Sequence, residues 1–491
     1  MRRFFVKNIL FVITVNVLVK PIWVFLIDRS VQNTVPAASY GTYGALLNFS
    51  IIFQIVLDFG ISSYNSRTIA QHPDKLNSVF PAMLSARLAL ILVYLALSLG
   101  WGVLLGYSGW ELSLFLGVLS FQSLNSLVSF IRSNIAALHR FKTDGIISIT
   151  DRLLMIIICG FLLVYPATAK HFKIEWLVWT QIFCYFVAAV AGYLILKRIG
   201  HVKLKFSFHA PTVLKIIRSS FPYALLIFLM SIYNRADMVI IERSSASGKV
   251  QAGIYAAAFR QLDMVNILGL MFATMLLPLF GRMISQKEDV QPIVKLCVNM
   301  LMPFSFIIAV GCLFFSHDIM HLFYHANALY RDPAMAVQYD FVFACLMASF
   351  PAWCLMYVYS TLLTANGSLK TLNIIAFIGV IINLSLNFFL IPRYGAEGGA
   401  ITSFITQTSL AIAFTVFASR IIKLPLNIRW IAAHLSFVAV AIGLCYVVTV
   451  GLRNVSWMFQ FVLFGLASTL FMFVFRFISL GSIKGLLNKR Q

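Results

Sequence analysis

The sequence predicts an all-α polytopic membrane protein of about fourteen transmembrane helices, and three observations lead there. Of 491 residues, 60% are hydrophobic and 11% charged, against roughly a quarter charged in soluble domains, and mean hydropathy is +0.90. The apolar residues come in runs of about 20, the length at which a helix crosses a hydrocarbon core. The basic residues are sorted between alternate loops: of 38 Lys and Arg, 22 fall in segments on one side, 8 on the other, and 8 within or at the edges of the runs. Lys and Arg are retained on the cytoplasmic face, so both termini are expected there. The formal charge of +22 is then mostly a topology signal with affinity for anionic lipid head groups, and no nucleic-acid partner is called for.

In chain order the expected spans lie near 8–27, 43–63, 81–105, 112–136, 145–165, 176–196, 219–241, 252–279, 293–315, 340–363, 371–392, 398–419, 430–450 and 457–479. The first has basic flanks but is too long for a signal peptide and lacks a small-residue cleavage site, so it is expected to remain in the mature protein. All seven cysteines fall inside the expected spans without paired spacing and read as small core residues.

The chain also repeats itself. Ile27-Asp28-Arg29-Ser30 at the end of the first span matches Ile241-Glu242-Arg243-Ser244 at the end of the seventh. Gly41-Thr42-Tyr43 matches Gly253-Ile254-Tyr255, and Pro166 and Thr180-Gln181 match Pro392 and Thr406-Gln407. The shared order and the offsets of 212 to 226 predict duplication of a six-helix bundle. An even number of spans gives both copies the same orientation, hence a pseudo-two-fold axis along the membrane normal. The expected organisation is an N-terminal bundle over 1–200, a basic cytoplasmic linker over 201–218, a second bundle over 219–422, and two additional helices with a cytoplasmic tail over 423–491.

Charges inside the spans carry the functional signal. An Arg or Lys facing lipid at the bilayer centre costs at least about 2.5 to 3.5 kcal/mol, yet Lys20, Arg87, Arg132, Arg152, Arg235 and Arg260 lie within expected spans, with Lys295 and Arg476 also in or at the edge of spans, against four acids, Asp58, Asp151, Asp237 and Asp263. Such an excess predicts a wet basic cavity for an anion. In span one, Lys20 precedes Pro21, whose ring kinks the helix and frees a carbonyl. Lys20 either adjoins a binding site there or bonds that carbonyl. In span two, Ser50, Gln54 and Asp58 stand on one helical face, with Asp58 a coupling-ion site, a counter-ion, or half of a structural pair. Span four presents Gln122, Asn125, Ser129 and Arg132 as one polar stripe, lining a lumen or packed as a seam on a neighbouring helix.

In span five, Asp151 and Arg152 diverge by about 100 degrees and call for separate partners. Arg235 and Asp237 in span seven point to nearly opposite sides, whereas Arg260 and Asp263 in span eight share a face and can neutralise each other. Arg235, Arg152, Lys20 and Arg260 are the candidate anion ligands, with Arg132 and Arg87 at the cytoplasmic mouth, while Gln122, Asn125, Ser129 and Gln54 are candidate polar lining. Asp58, Asp237 and Asp263 are candidates for a coupling ion or counter-ion.

His317, His321 and His325 recur every fourth residue, but the interleaved Leu322, Phe323 and Tyr324 fit an interfacial helix better than a zinc site, and no metal is assigned. No P-loop and no Asp-x-Asp occurs, so neither ATP binding nor metal-dependent glycosyl transfer is indicated. No cofactor is expected beyond H+ or Na+ coupling.

Tyr40-Gly41-Thr42-Tyr43-Gly44, Asp58-Phe59-Gly60-Ile61 with Arg67, Arg235-Ala236-Asp237, Gly253-Ile254-Tyr255-Ala256-Ala257-Ala258, Leu277-Pro278 and Ile391-Pro392-Arg393-Tyr394-Gly395-Ala396-Glu397-Gly398-Gly399-Ala400 form an ordered set over spans one to twelve. It resembles the polysaccharide transporter branch, including Wzx-type oligosaccharide flippases, of the multidrug/oligosaccharidyl-lipid/polysaccharide exporter superfamily. The resemblance implies two six-helix bundles and alternating access. It further implies transfer of an undecaprenyl-diphosphate-linked oligosaccharide across a bacterial inner membrane for O-antigen, capsule or exopolysaccharide synthesis, with a polymerase and glycosyltransferases as partners. Alternatives are a cation-coupled multidrug transporter of the same superfamily, whose cargo would ask for an acidic cavity, and a membrane glycan polymerase or glycosyltransferase. The longest outer loop, about 25 residues, is short for a polymerase.

Overall fold

The computed structural model describes residues 19–475 and 477, apart from 20–21, 63–64, 66–68, 70–75, 139, 203–209, 245–246 and 426. Lys20, Arg67, Arg476 and the centre of the expected linker therefore lie outside the described residues. Among these residues the ordered structure is helical, and eleven helices are long and apolar enough to cross a membrane. The chain forms two compact units, Met1–Glu242 and Arg243–Gln491.

In the first unit a π-helical turn, Trp23–Asp28, leads into α1 (Arg29–Thr34), followed by α2 (Ala37–Ile52), α3 (Leu76–Leu104), α4 (Gly109–Ala137), α5 (Phe141–Val164), α6 (Ile174–Gly200) and α7 (Ala210–Ser244). The first span thus runs past its expected end at 27, as far as Thr34, where Val35 turns extended before Pro36, the bias that proline imposes on its predecessor. The expected second span does not continue to 63. Its α-helix stops at Ile52, a 3-10 turn covers Gln54–Leu57, and Phe59 and Gly60 take positive φ of 39 and 81 degrees. A non-glycine residue there is costly unless its surroundings hold it, and the contacts of Asp58 described below supply that hold.

Helix α4 is the spine of this unit, packing on α2, α3, α5 and α6. Small residues let the helices approach: a Cβ on Gly117 would meet Val178 Cγ1 at 2.6 Å and one on Gly192 would meet Ile131 Cγ2 at 3.2 Å, the close packing that membrane helices need in place of a hydrophobic driving force.

The second unit contains α8 (Gly248–Ser285), α9 (Gln291–Phe314), the short α10 (Ser316–Tyr324), α11 (Pro333–Ala348), α12 (Phe350–Ala365), α13 (Leu369–Ile422), α14 (Ile428–Gly451) and α15 (Trp457–Val474). At 54 residues α13 is more than twice the thickness of a bilayer core. It holds both of the spans expected at 371–392 and 398–419, which meet at a kink where Gly395 takes φ 54 and ψ −125. Gly398 sits so close to the preceding arm that a Cβ would lie 2.6 Å from the Leu390 carbonyl oxygen, so only glycine permits this return. The two C-terminal helices pack on α9 through Val310, Phe315, Ala441, Cys445 and Phe464.

Candidate functional site

The polar residues of the first unit's apolar helices gather into several clusters. At the break in the second span, Asp58 Oδ1 accepts from Ser62 N at 3.2 Å and Ser62 Oγ at 2.7 Å, and it pairs with the Arg87 guanidinium. Arg87 Nη2 donates to Ser126 O at 2.9 Å, and its Cζ lies 5.6 Å from the Phe130 ring centroid. Only 2% of Arg87 is exposed, so it is no mouth residue. It ties the turn after α2 to α3 and α4, and a buried pair of this kind holds only while both partners are present.

The expected stripe on α4 does not keep one environment. Gln122 is buried and its Nε2 comes within 3.5 Å of Ser50 Oγ, Asn125 and Arg132 are half-buried, and Ser129 is exposed. On the neighbouring α2 the expected face of Ser50, Gln54 and Asp58 is also interrupted. That helix has ended soon after Ser50, and Gln54, half-buried in the 3-10 turn, no longer continues the face. Arg132 Nε donates to Asp144 Oδ1 at 2.8 Å, with the guanidinium 30% exposed.

Arg152 on α5 reaches further than helical spacing suggests. Besides contacts of their own, Asp151 with the Tyr185 hydroxyl and Arg152 with Met155 Sδ at 3.8 Å, the two also meet, Arg152 Nε 3.5 Å from Asp151 Oδ2, because a long side chain can bend across the 100 degrees that separate neighbouring positions. Its guanidinium Cζ also lies 5.6 Å from the Trp23 ring centroid and remains half-buried. On α7, Asp237 is buried, while the half-buried Arg235 donates from Nη1 to Asn48 Oδ1 at 3.3 Å. Asn48 in turn donates to Gly44 O at 2.8 Å. In the second unit Arg260 and Asp263 are both half-buried on α8.

Two buried carboxylates were not singled out from sequence. Asp28 accepts from Tyr40 OH at 2.9 Å and Gln32 Nε2 at 3.2 Å, and Glu242 accepts from Tyr107 OH at 2.9 Å. They occupy the same place in the repeated Ile-Asp/Glu-Arg-Ser segment, and that recurrence was the available signal. Nearby, Gln181 Nε2 donates to Tyr43 OH at 3.0 Å. The His317 ring is taken up by Asp340, Nδ1 to Oδ2 at 2.8 Å. Asp340 also accepts from Tyr330 OH at 2.9 Å, and burial together with this carboxylate pushes the phenol pKa up.

The fold is that of known transporters. The lipid II flippase MurJ in an inward closed conformation superposes with TM-score 0.62 at 17% identity, over 89% of this chain and 96% of that one. An inward-facing multidrug resistance MATE family transporter of the MOP superfamily gives TM-score 0.62 at 14% identity, over 82% and 94%. A MOP superfamily transporter from Pyrococcus furiosus gives 0.59 at 15%, over 85% and 94%. No curated protein matches the sequence. Residues 5–284, more than half of the chain, match the family described as polysaccharide biosynthesis protein; the chain is a multi-pass membrane protein with the MOP-superfamily transporter fold, and it belongs to that polysaccharide biosynthesis family.

Proposed function

We propose that this protein flips a diphosphate-linked, polyprenyl-anchored oligosaccharide from the cytoplasmic to the outer leaflet of a bacterial inner membrane, with both termini cytoplasmic, for cell-surface polysaccharide assembly. The observation that carries the reading is the half-buried guanidinium groups of Arg152 and Arg235 within apolar helices of a chain that belongs to a polysaccharide biosynthesis family. A diphosphate with its sugars cannot cross hydrocarbon unaided, since each unpaired charge costs several kcal/mol there. Guanidinium groups answer this with charge-assisted bonds to phosphate oxygens, while the polyprenyl tail stays in lipid. Arg235 and Arg152 are assigned to phosphate, with Lys20 and Arg260 as further cations and Arg132 at the entrance. Arg87 is set aside because it is sealed against Asp58. Release on the outer face requires loose holding, and a guanidinium shared with Asn48 or Asp151 meets that requirement.

For coupling, Asp28 joins Asp58, Asp237 and Asp263 as a candidate for H+ or Na+ exchange, because it is a buried carboxylate that accepts from the Tyr40 hydroxyl and the Gln32 amide. The test is a strain carrying Arg152→Glu together with Arg235→Glu. Surface glycan should disappear and the lipid-linked repeat unit accumulate on the cytoplasmic side, while a properly inserted double variant that still exports glycan overturns the assignment. A polymerase defect would leave one repeat unit displayed outside. The fold shared with multidrug transporters sets the second reading: drug sensitivity on deletion, with surface glycan intact, would favour it.

A further inference from the structure

A polar cleft of about 320 Å³ opens in the second unit at the kink of α13. Gln251 from the first turn of α8 and Gln338 from α11 form its floor by exchanging amide hydrogen bonds, Gln251 Nε2 to Gln338 Oε1 at 3.0 Å and Gln338 Nε2 to Gln251 Oε1 at 3.1 Å. Gln251 Oε1 also accepts from Ala396 N at 2.8 Å, fixing the kink. Glycine is required at 395 twice over, by its positive φ and by this approach, since a Cβ there would lie 2.5 Å from that same oxygen. The wall is Arg393, Tyr394 and Glu397. Arg393 lays its guanidinium over the Phe389 ring one turn back, Cζ 4.1 Å from the centroid, and Tyr394 is 53% exposed. An aromatic ring open to solvent, a fixed guanidinium, a carboxylate and two ordered amides thus face one cleft.

The first unit builds a cleft of about 370 Å³ from corresponding parts. Ser39 stands two residues before Gly41, as Gln251 stands two before Gly253. Trp110 comes from the first turn of α4, while Lys173 and Glu175 come from the connection into α6. Trp110 Nε1 donates to Glu175 Oε1 at 2.6 Å. An exposed aromatic, a base and an acid therefore recur around a cleft in both units, although Trp110, Lys173 and Glu175 share no sequence with Tyr394, Arg393 and Glu397.

We infer that the cleft at the α13 kink is a carbohydrate site on the outer face, where a sugar of the emerging glycan rests during release. A pyranose presents an apolar C–H face and a rim of hydroxyls. An aromatic ring takes the first, and amide, carboxylate and guanidinium groups take the second as acceptors and donors. Few other ligands ask for all of these together, and phosphate would be repelled by Glu397. The inference rests on the glycan-flippase reading for the identity of the sugar and for which face is outer.

The test uses the full-length protein in nanodiscs and, as probe, the soluble oligosaccharide released by mild acid from the surface polysaccharide of the source strain, followed by saturation-transfer NMR and titration. The wild type should bind, and Tyr394→Ala and Arg393→Ala should each weaken binding about 5-fold, with Tyr394→Phe near wild type and thermal midpoints unchanged. No binding by the wild type, or equal binding by Tyr394→Ala and Arg393→Ala, overturns the site. Because free-sugar binding needs no transport, its loss is separable from failure of the flippase reading, which the export assay alone decides.

Discussion

Where polar groups must sit among oily helices, the arginine pairs of the first unit and the amide contacts at the kink of the second meet the difficulty with different chemistry. The first unit meets arginines with aspartates, Arg87 with Asp58, Arg132 with Asp144 and Arg152 with Asp151. The second unit is braced at its kink by neutral amides, Gln251 with Gln338 and the Ala396 backbone, and along α13 by Asn387 Nδ2 donating to Asn383 Oδ1 at 3.0 Å. A charged pair loses its balance when one partner is taken by a ligand or proton, whereas an amide pair is indifferent to both.

Removing partners one at a time tests that contrast. The largest effect is expected from Asp58→Ala, which leaves Arg87 buried without its carboxylate and should cost about 3 to 5 kcal/mol, read as a lowered thermal midpoint in detergent. Adding Arg87→Met should recover most of it. If Asp58→Ala alone were silent, the pair would not be what holds the broken second span. Next comes Gly398→Ala, which drives a Cβ into the Leu390 carbonyl and should cost about 1 to 3 kcal/mol, visible as proteolytic sensitivity near the kink. Asn383→Ala, at a fully buried position, removes the acceptor of the Asn387 amide and should also cost about 1 to 3 kcal/mol. Because neither amide titrates, that loss should be the same at pH 5 and pH 8 in a melting series. The smallest change is expected for Arg132→Gln, whose partly exposed pair with Asp144 contributes no more than about 1 kcal/mol; a transport defect there without a stability defect would mark Arg132 as an entrance residue.

Much of the fold was legible in advance because the bilayer leaves so few options. Backbone groups must be satisfied within each segment, so runs of about 20 apolar residues become helices. From α3 onward the helices fall where those runs lie, several extending beyond them by a few residues. The return at Gly395 was written in Pro392 and the glycines that follow. The candidate site was only partly legible. Arg152 and Arg235 stood out as charges in apolar runs, but the partner of Arg87 lay 29 residues away across a helix break. The carboxylates of Asp28 and Glu242, near span ends, drew no attention as charges although the repeat contained both.

The amino-acid order alone settles which segments enter the membrane and where glycine must permit a tight return, because hydropathy and steric limits act locally along the chain. Which charges are spent on each other and which stay half-open was decided by packing: the stop of α2 at Ile52 and the backward reach of Arg152 to Asp151 depend on neighbours that helical spacing cannot specify. Long side chains choose among several partners within reach, and only the assembled helices limit that choice.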